Sequence, residues 1–407
     1  MAASARNPFH ALRHRNFRLF FAGQFISLAG TWMQVVAEGW LVLELTDSAF
    51  LVGLVSALES LPILLLTLYG GVLADRVDKR RAIMLLQIGM LTQSLMLTVL
   101  AATHHITVAW LMILAVALGS LAAFEVPIRQ SFMMEMVGRD DLVNAIALNS
   151  SIFNLTRIIG PVVAGGLIAT LGSAVCFGFN SLSFLAVIVA FFRMRPPFAG
   201  ASTSLRDQQP TFREGVRYAL EAGEPRALLF LAATLSIFGL GAALAMLPVY
   251  ARRVLGLDAS GYGGLMAAVG VGAGTGAIVM ASIGHRIDRR RLIGIAALLF
   301  SLSLAASTLH ESFPLALGGL AVAGFGSVLA AISTNTLLQV DAPDHLRGRV
   351  MGFYSFVVLG LAPLGSLQAG WVSEHFGVRV SFLAGAAICA VAALLFSTRS
   401  SPTAAEG

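Results

Sequence analysis

The chain has 407 residues, 57% of them apolar and 12% charged, with a formal net charge of +6 and a mean hydropathy of +0.83. Soluble domains run at about 45–50% apolar and about 25% charged, so this composition excludes a soluble enzyme or binding module. A bilayer span needs roughly 20 apolar residues, and a chain of this length with short loops holds on the order of twelve of them.

The sequence begins with a polar, Arg-bearing stretch and reaches its first apolar run only after Arg18, with no small-residue cleavage pattern, so no removable signal peptide is expected. Spans are expected near 18–45, 49–70, 82–103, 108–127, 142–171 and 174–193, then 227–251, 261–284, 291–309, 313–339, 347–373 and 376–397. Cys176 and Cys389 both fall inside apolar runs, which implies neither a disulfide framework nor a metal site.

In the first span Gln24, Ser27, Thr31, Gln34 and Glu38 follow at alternating steps of three and four, which puts all five on one helix face. Polar groups facing lipid are costly, so this stripe is expected to face a water-filled cavity. A hydrogen-bonded seam between helices is the competing reading of the amides, and Glu38 tips the balance to the cavity. The segment Gly71-Val-Leu-Ala-Asp75-Arg76-Val-Asp78-Lys79-Arg80-Arg81 joins the second and third runs. Charges packed this tightly cannot sit in hydrocarbon, so the segment is a loop at the water surface.

The fifth run carries Ser150, Asn154, Arg157 and Pro161 on one face, with Arg157 near its middle. An isolated cation there is expensive, so a carboxylate partner is expected. Acids inside the runs are confined to the first half, as Glu38, Glu59 and Glu125; the second half offers Asn335, Thr336, Gln339 and Gln368 instead. Carboxylate-based proton coupling therefore belongs to the first half, although a local i, i+4 pair with Arg129 is the favoured reading of Glu125. Residues 194–226 read as a linker, rich in Pro and Ser, that ends in a short amphipathic helix from Phe212 to Leu220.

The second half repeats the first. Arg76, Asp78 and Arg81 recur at a constant offset as Arg286, Asp288 and Arg291, and Leu171-Gly172 is echoed by Phe376-Gly377. Two pseudo-symmetric six-helix bundles, 1–193 and 227–407, joined by the linker, make an all-α architecture of the kind secondary transporters use. Positive residues gather at alternate ends of the runs, and the intervening connections carry only Arg252, Arg253 and Arg379. The positive-inside rule then puts both termini and the linker in the cytoplasm, and the basic excess reports topology rather than a nucleic-acid surface.

Gly71, Asp75, Arg76, Lys79 and Arg80 match the Gly-x-x-x-Asp-Arg-x-Gly-Arg-Lys loop of the major facilitator superfamily, with Asp78 in place of its second Gly. Phe17-Arg18, Ser27, Gly30, Trp32, Thr46-Asp-Ser48, Glu125-Val-Pro127-Ile-Arg129 and Asn149-Ser150 resemble the enterobactin-exporter-like branch, which handles siderophores and drugs. The resemblance implies that Asp75 bonds a helix N-terminus of the opposite bundle and locks one conformation. Gly160-Pro161-Val-Val-Ala-Gly165-Gly166 is similar to the fifth-helix antiporter motif, but with one extra residue before the paired Gly; helix packing alone accounts for the same residues. The fourth span also lacks the mid-helix Arg of many proton antiporters in the superfamily.

These readings converge on an exporter of an amphipathic small molecule in the cytoplasmic (inner) membrane, working by alternating access as a monomer. Its energy would come from proton antiport, with no bound cofactor and no partner beyond substrate and lipid. The competing readings are a non-transporting receptor or assembly subunit and a lipid-handling membrane protein. A membrane enzyme would want a His/Asp/Glu cluster inside a span, and His104, His105, His310 and His375 all fall near span ends.

Overall fold

The computed structural model describes residues 9–74, 76–195, 212–221, 223–284, 287–343 and 345–398. Asp75, His285, Arg286 and the linker from 196 to 211 lie outside them. A short 3₁₀ turn, His10–Arg13, precedes α1, Arg15–Thr46; α2, Ala49–Ala74; and α3, Lys79–Ala102. Next come α4, Val108–Gly138; α5, Asp140–Leu171; α6, Ser173–Arg193; and α7, Phe212–Glu221, the expected amphipathic helix. The remainder are α8, Gly223–Phe238; α9, Leu240–Arg253; α10, Ala259–Ile283; α11, Arg289–Leu309; α12, Phe313–Asp341; α13, Arg347–Gly360; α14, Ala362–Phe376; and α15, Val378–Thr398. Among the described residues twelve spans are long and apolar enough to cross a membrane, ten of them single helices and two formed by α8 with α9 and by α13 with α14.

Three boundaries differ from the sequence reading. The fourth helix does not stop near Pro127 but runs on to Gly138, so the stretch expected as a loop is helical. Pro removes one N–H and bends a spanning helix without ending it where neighbouring helices support the backbone. The break falls at Gly138, whose φ of 73° is open to glycine at no steric cost. The seventh and eleventh spans are each divided, at Gly239 and Leu361.

The chain forms two compact units, residues 1–45 with 61–205, and residues 46–60 with 206–407. In the first, the ring of Phe191 stacks on Phe132 at 5.6 Å and meets Phe20 edge-on at 6.4 Å, forming an aromatic core where α1, α4 and α6 converge. The basic loop is part of this packing. Asp78 caps α3 by accepting from Arg81 N at 3.1 Å. Lys79 pairs with Glu135 of α4, and Arg80 donates to Phe191 O at 2.7 and 3.1 Å. A cation on the last carbonyls of α6 complements the negative end of that helix. Topology alone therefore does not account for Lys79 and Arg80, as the sequence had suggested; both fasten helices together.

The second unit reproduces the device. Asp288 caps α11 by accepting from Arg290 N at 3.0 Å and Arg291 N at 3.5 Å. Arg290 pairs with Glu224 in the first turn of α8 and lies 5.5 Å from the ring centre of Phe396. Helix packing in this unit depends on missing side chains. A Cβ on Gly272 of α10 would sit 1.7 Å from Ala321 O of α12, and one on Gly324 would sit 2.3 Å from Val269 O. Small residues let the two backbones touch, which is how helices associate when lipid is as apolar as the core.

Also within the second unit, the exposed carboxylate of Glu374 at the end of α14 accepts from Ala49 N at 2.7 Å and Phe50 N at 3.3 Å, capping α2. Arg253 holds the preceding connector through Asp47, at 3.6 Å between Nε and Oδ1. Glu374→Ala is expected to lower stability by about 1 kcal/mol, the usual value of an N-cap. Thermal unfolding in detergent checks this; an unchanged midpoint removes the cap from the account. Asp258 caps α10 through Gly261 N at 3.0 Å, and bonds from Ser260 and then Gly261 hold its carboxyl below the usual range. That contribution is present above the ordinary Asp pKa and is lost as pH falls through the depressed value.

Candidate functional site

The first unit brings α1 against α5 at Gly160, where a Cβ would lie 2.6 Å from the Cβ of Trp32 and 3.1 Å from Ala29 O. One turn earlier on α5, the Arg157 guanidinium lies 5.8 Å from the ring centre of Trp32. Phe153, one more turn back, meets Trp32 edge-on at 5.9 Å. Arg157 and Trp32 are half-buried and Phe153 is exposed. The expected carboxylate partner is absent: among the described residues no acid pairs with Arg157. Glu125 is taken by Arg129 at 2.8 Å, with Gln87 donating to the same oxygen at 3.4 Å. A π face gives a cation attraction without a charge, and its stem packs against apolar neighbours, so a lone mid-span Arg persists here.

The polar stripe on α1 also lies differently from the expectation. Gln24, Ser27, Gln34 and Glu38 are buried, and only Thr31 is half-exposed, bonding back to Ser27 O at 2.9 Å. Gln34 is a hub between three helices. Its Oε1 accepts from Asn180 Nδ2 of α6 at 2.7 Å and from Ser94 Oγ of α3 at 2.9 Å, and its Nε2 donates to Gln93 Oε1 at 3.4 Å. Gln93 passes the network on to Leu114 O at 3.1 Å. For Gln34 the seam reading holds and the cavity reading does not. Polar residues inside the apolar runs of α3 and α6 were the available signal, because each supplies a partner that α1 lacks by itself.

The remaining candidates separate. Glu59 is half-buried in α2 and makes no hydrogen bond or ion pair among the described residues. Asn154 donates to its own Ser150 O at 2.9 Å. Gln339 donates to Asn335 Oδ1 at 2.6 Å near the end of α12. Gly165 is buried, whereas Gly166 and Gly71 have nothing within reach of a Cβ. Arg76 is exposed beside Asp75, and Asp75 itself lies outside the described residues. In the second unit, a groove of about 300 Å³ lined by Phe230, Thr234, Ile388 and Leu395 is almost wholly apolar.

Sequence reasoning missed a polar cluster at the start of α5. The carboxylate of Asp141, 3% exposed, is met by His10 at 2.8 Å, Arg13 at 2.9 Å and His14 at 2.7 Å, while Ala11 N donates to Asn144 Oδ1 at 2.8 Å. The N-terminal turn is thereby tied to the elbow at Gly138. Only the one-turn spacing of His10 and His14 hinted at it, and nothing in the sequence named the acid.

Twelve spans in two repeated units, with basic capped loops and polar groups buried at membrane depth, define a transporter of the major facilitator type. The chain belongs to the transmembrane secretion effector family, which it matches over residues 6–406. Among curated proteins it is 28% identical to the multidrug efflux pump Tap of Mycolicibacterium fortuitum, over 88% of each chain. It is 24% identical to the staphyloferrin A transporter of Staphylococcus aureus, over 90% of this chain and 91% of that one. It is 26% identical to the enterobactin exporter EntS of Shigella flexneri, over 88% and 86%. Among solved structures, a bacterial homologue of the human lysosomal transporter Spinster superposes with a TM-score of 0.77 at 16% identity, covering 98% of this chain and 100% of that one. A D-xylose–proton symporter gives 0.72 at 14% identity, over 95% and 98%. The protein is a multi-pass membrane transporter of the efflux type, and not an enzyme.

Proposed function

We propose that the chain exports an amphipathic small molecule of the drug or siderophore kind, by alternating access in exchange for inward-moving protons. Full-length similarity to a drug efflux pump and to two siderophore transporters carries the substrate class. The carboxylates at membrane depth carry the coupling. Of these, Glu125 is spent on Arg129, which leaves Glu59 and Glu38. Glu59 is the stronger candidate because it is half-exposed and makes no bond among the described residues, so a proton can reach and leave it. The positive-inside bias supports a cytoplasmic-membrane location with both termini inside. Asp75 in the Gly71 to Arg80 loop supplies the conformational lock in this reading, and the working unit is a monomer that needs only the proton gradient.

Inverted vesicles with an acidified lumen are expected to accumulate rhodamine 6G or ethidium and to release it when the gradient is collapsed. Glu59→Gln should cut gradient-driven accumulation by about tenfold or more, within the range that loss of one proton-transfer group produces. Glu38→Gln should cut it less. Accumulation that is unchanged by Glu59→Gln at every pH removes Glu59 from the mechanism. A chain that moves no member of a broad compound panel is instead a receptor or assembly subunit.

A further inference from the structure

Among the described residues, two cations lie more than two turns from the ends of their spans, Arg129 and Arg157. Arg129 is neutralised by Glu125 at 2.8 Å. Arg157 has neither an acid nor a hydrogen-bond acceptor among the described residues, and the nearby Asn154 turns its Nδ2 to Ser150 O at 2.9 Å. The Trp32 ring at 5.8 Å attracts the guanidinium as a charge, but a π face cannot fill the fork of N–H donors that lies in the guanidinium plane. That fork matches a carboxylate, sulfonate or phosphate in bidentate fashion. The two rings beside it, Trp32 and Phe153 at 5.9 Å, form an edge-on corner, and the close approach of α1 and α5 at Gly160 fixes Trp32 in place. Arg157 is half-buried and Phe153 is 44% exposed, so this corner is open to a ligand.

We propose that Arg157, Trp32 and Phe153 form an anion subsite, at which the guanidinium takes the acidic group of a substrate whose planar apolar body packs on the two rings. This rests on the export reading and adds to it a preference for amphipathic molecules that carry an acidic group. The π face holds the cation without neutralising it, and in this reading the cargo supplies the counter-charge.

The test uses the full chain in lipid nanodiscs with two planar dyes of opposite charge, fluorescein and rhodamine 6G, titrated by fluorescence anisotropy. Arg157→Gln is expected to lower the ratio of fluorescein to rhodamine affinity by at least about tenfold, the scale of one charge-assisted bidentate contact. Arg157→Lys, which keeps the charge and loses the fork, should lower it only about threefold. Trp32→Leu should weaken both dyes and leave the ratio nearly unchanged. Size-exclusion elution and thermal midpoint establish that each variant is folded, and if Arg157→Gln is not, the Lys and Trp32 variants decide the matter by their ratios. A ratio unchanged in both Arg157 variants, or no fluorescein binding by the parent chain, overturns the subsite. Should the parent still accumulate rhodamine 6G in acid-loaded vesicles, the exporter reading stands without it; should no dye move at all, the exporter reading falls whatever the binding ratios.

Discussion

Gly272→Val is expected to abolish recovery of folded protein. The first added carbon would lie 1.7 Å from Ala321 O and 3.0 Å from Phe325 N, both backbone atoms of α12. Backbone cannot rotate aside as a side chain can, so α10 and α12 must separate along their contact. The reciprocal contact, Gly324 against Val269 O, would open with it. Overpacking in a close-packed core costs about 1–3 kcal/mol, and a clash with two rigid helices lies at or above the top of that range. Membrane helices have no hydrophobic drive to offset the lost contact, since lipid receives their surfaces equally well. Yield of monodisperse protein in detergent is the measurement. Gly318→Ala, on the same α12 with nothing within 4 Å, is the matched control and should leave yield and midpoint unchanged. Normal elution and midpoint for Gly272→Val would mean that the two helices do not touch as described.

The second large effect is at Gln34. Gln34→Leu keeps the volume and removes the acceptor of both Asn180 Nδ2 and Ser94 Oγ, at a site where Asn180 is completely buried. A buried polar group left unsatisfied costs about 1–3 kcal/mol. Ser94 retains Phe177 O at 2.9 Å, so the larger share falls on Asn180. The expected loss is about 2–3 kcal/mol, seen as a lowered thermal midpoint. Adding Asn180→Leu should recover part of it, because the stranded donor is then gone. This separates a seam from a cavity wall. A cavity residue would change substrate preference and leave stability intact, and that outcome would restore the reading the sequence first suggested.

The spans were legible because bilayer thickness imposes run lengths that no loop imitates. The duplicated Asp78 and Asp288 were legible as loops, and their capping follows from an acid standing before a helix. What the sequence concealed was direction. A polar stripe at helical spacing shows that one face of α1 is special, but the same five residues serve a cavity or a neighbour, and only Asn180, Gln93 and Ser94 decide which. Arg157 misled in another way. The rule that a buried cation needs an acid is sound for charge, yet Trp32 offered an attraction that residue charges do not reveal. The fourth span was placed at 108–127, whereas α4 passes through Pro127 to Gly138.

The two thiols give the chain a practical property. Cys176 and Cys389 are both fully enclosed, their sulfurs turned towards the Ala164 and Thr234 carbonyls at 3.8 and 3.9 Å. Alkylation requires an accessible thiol, and enclosure among helices denies access. The chain is therefore expected to be silent to maleimide reagents while its helices stay packed. A single cysteine introduced at either face can be read directly, and any labelling of Cys176 or Cys389 reports that a helix has come away from its neighbours.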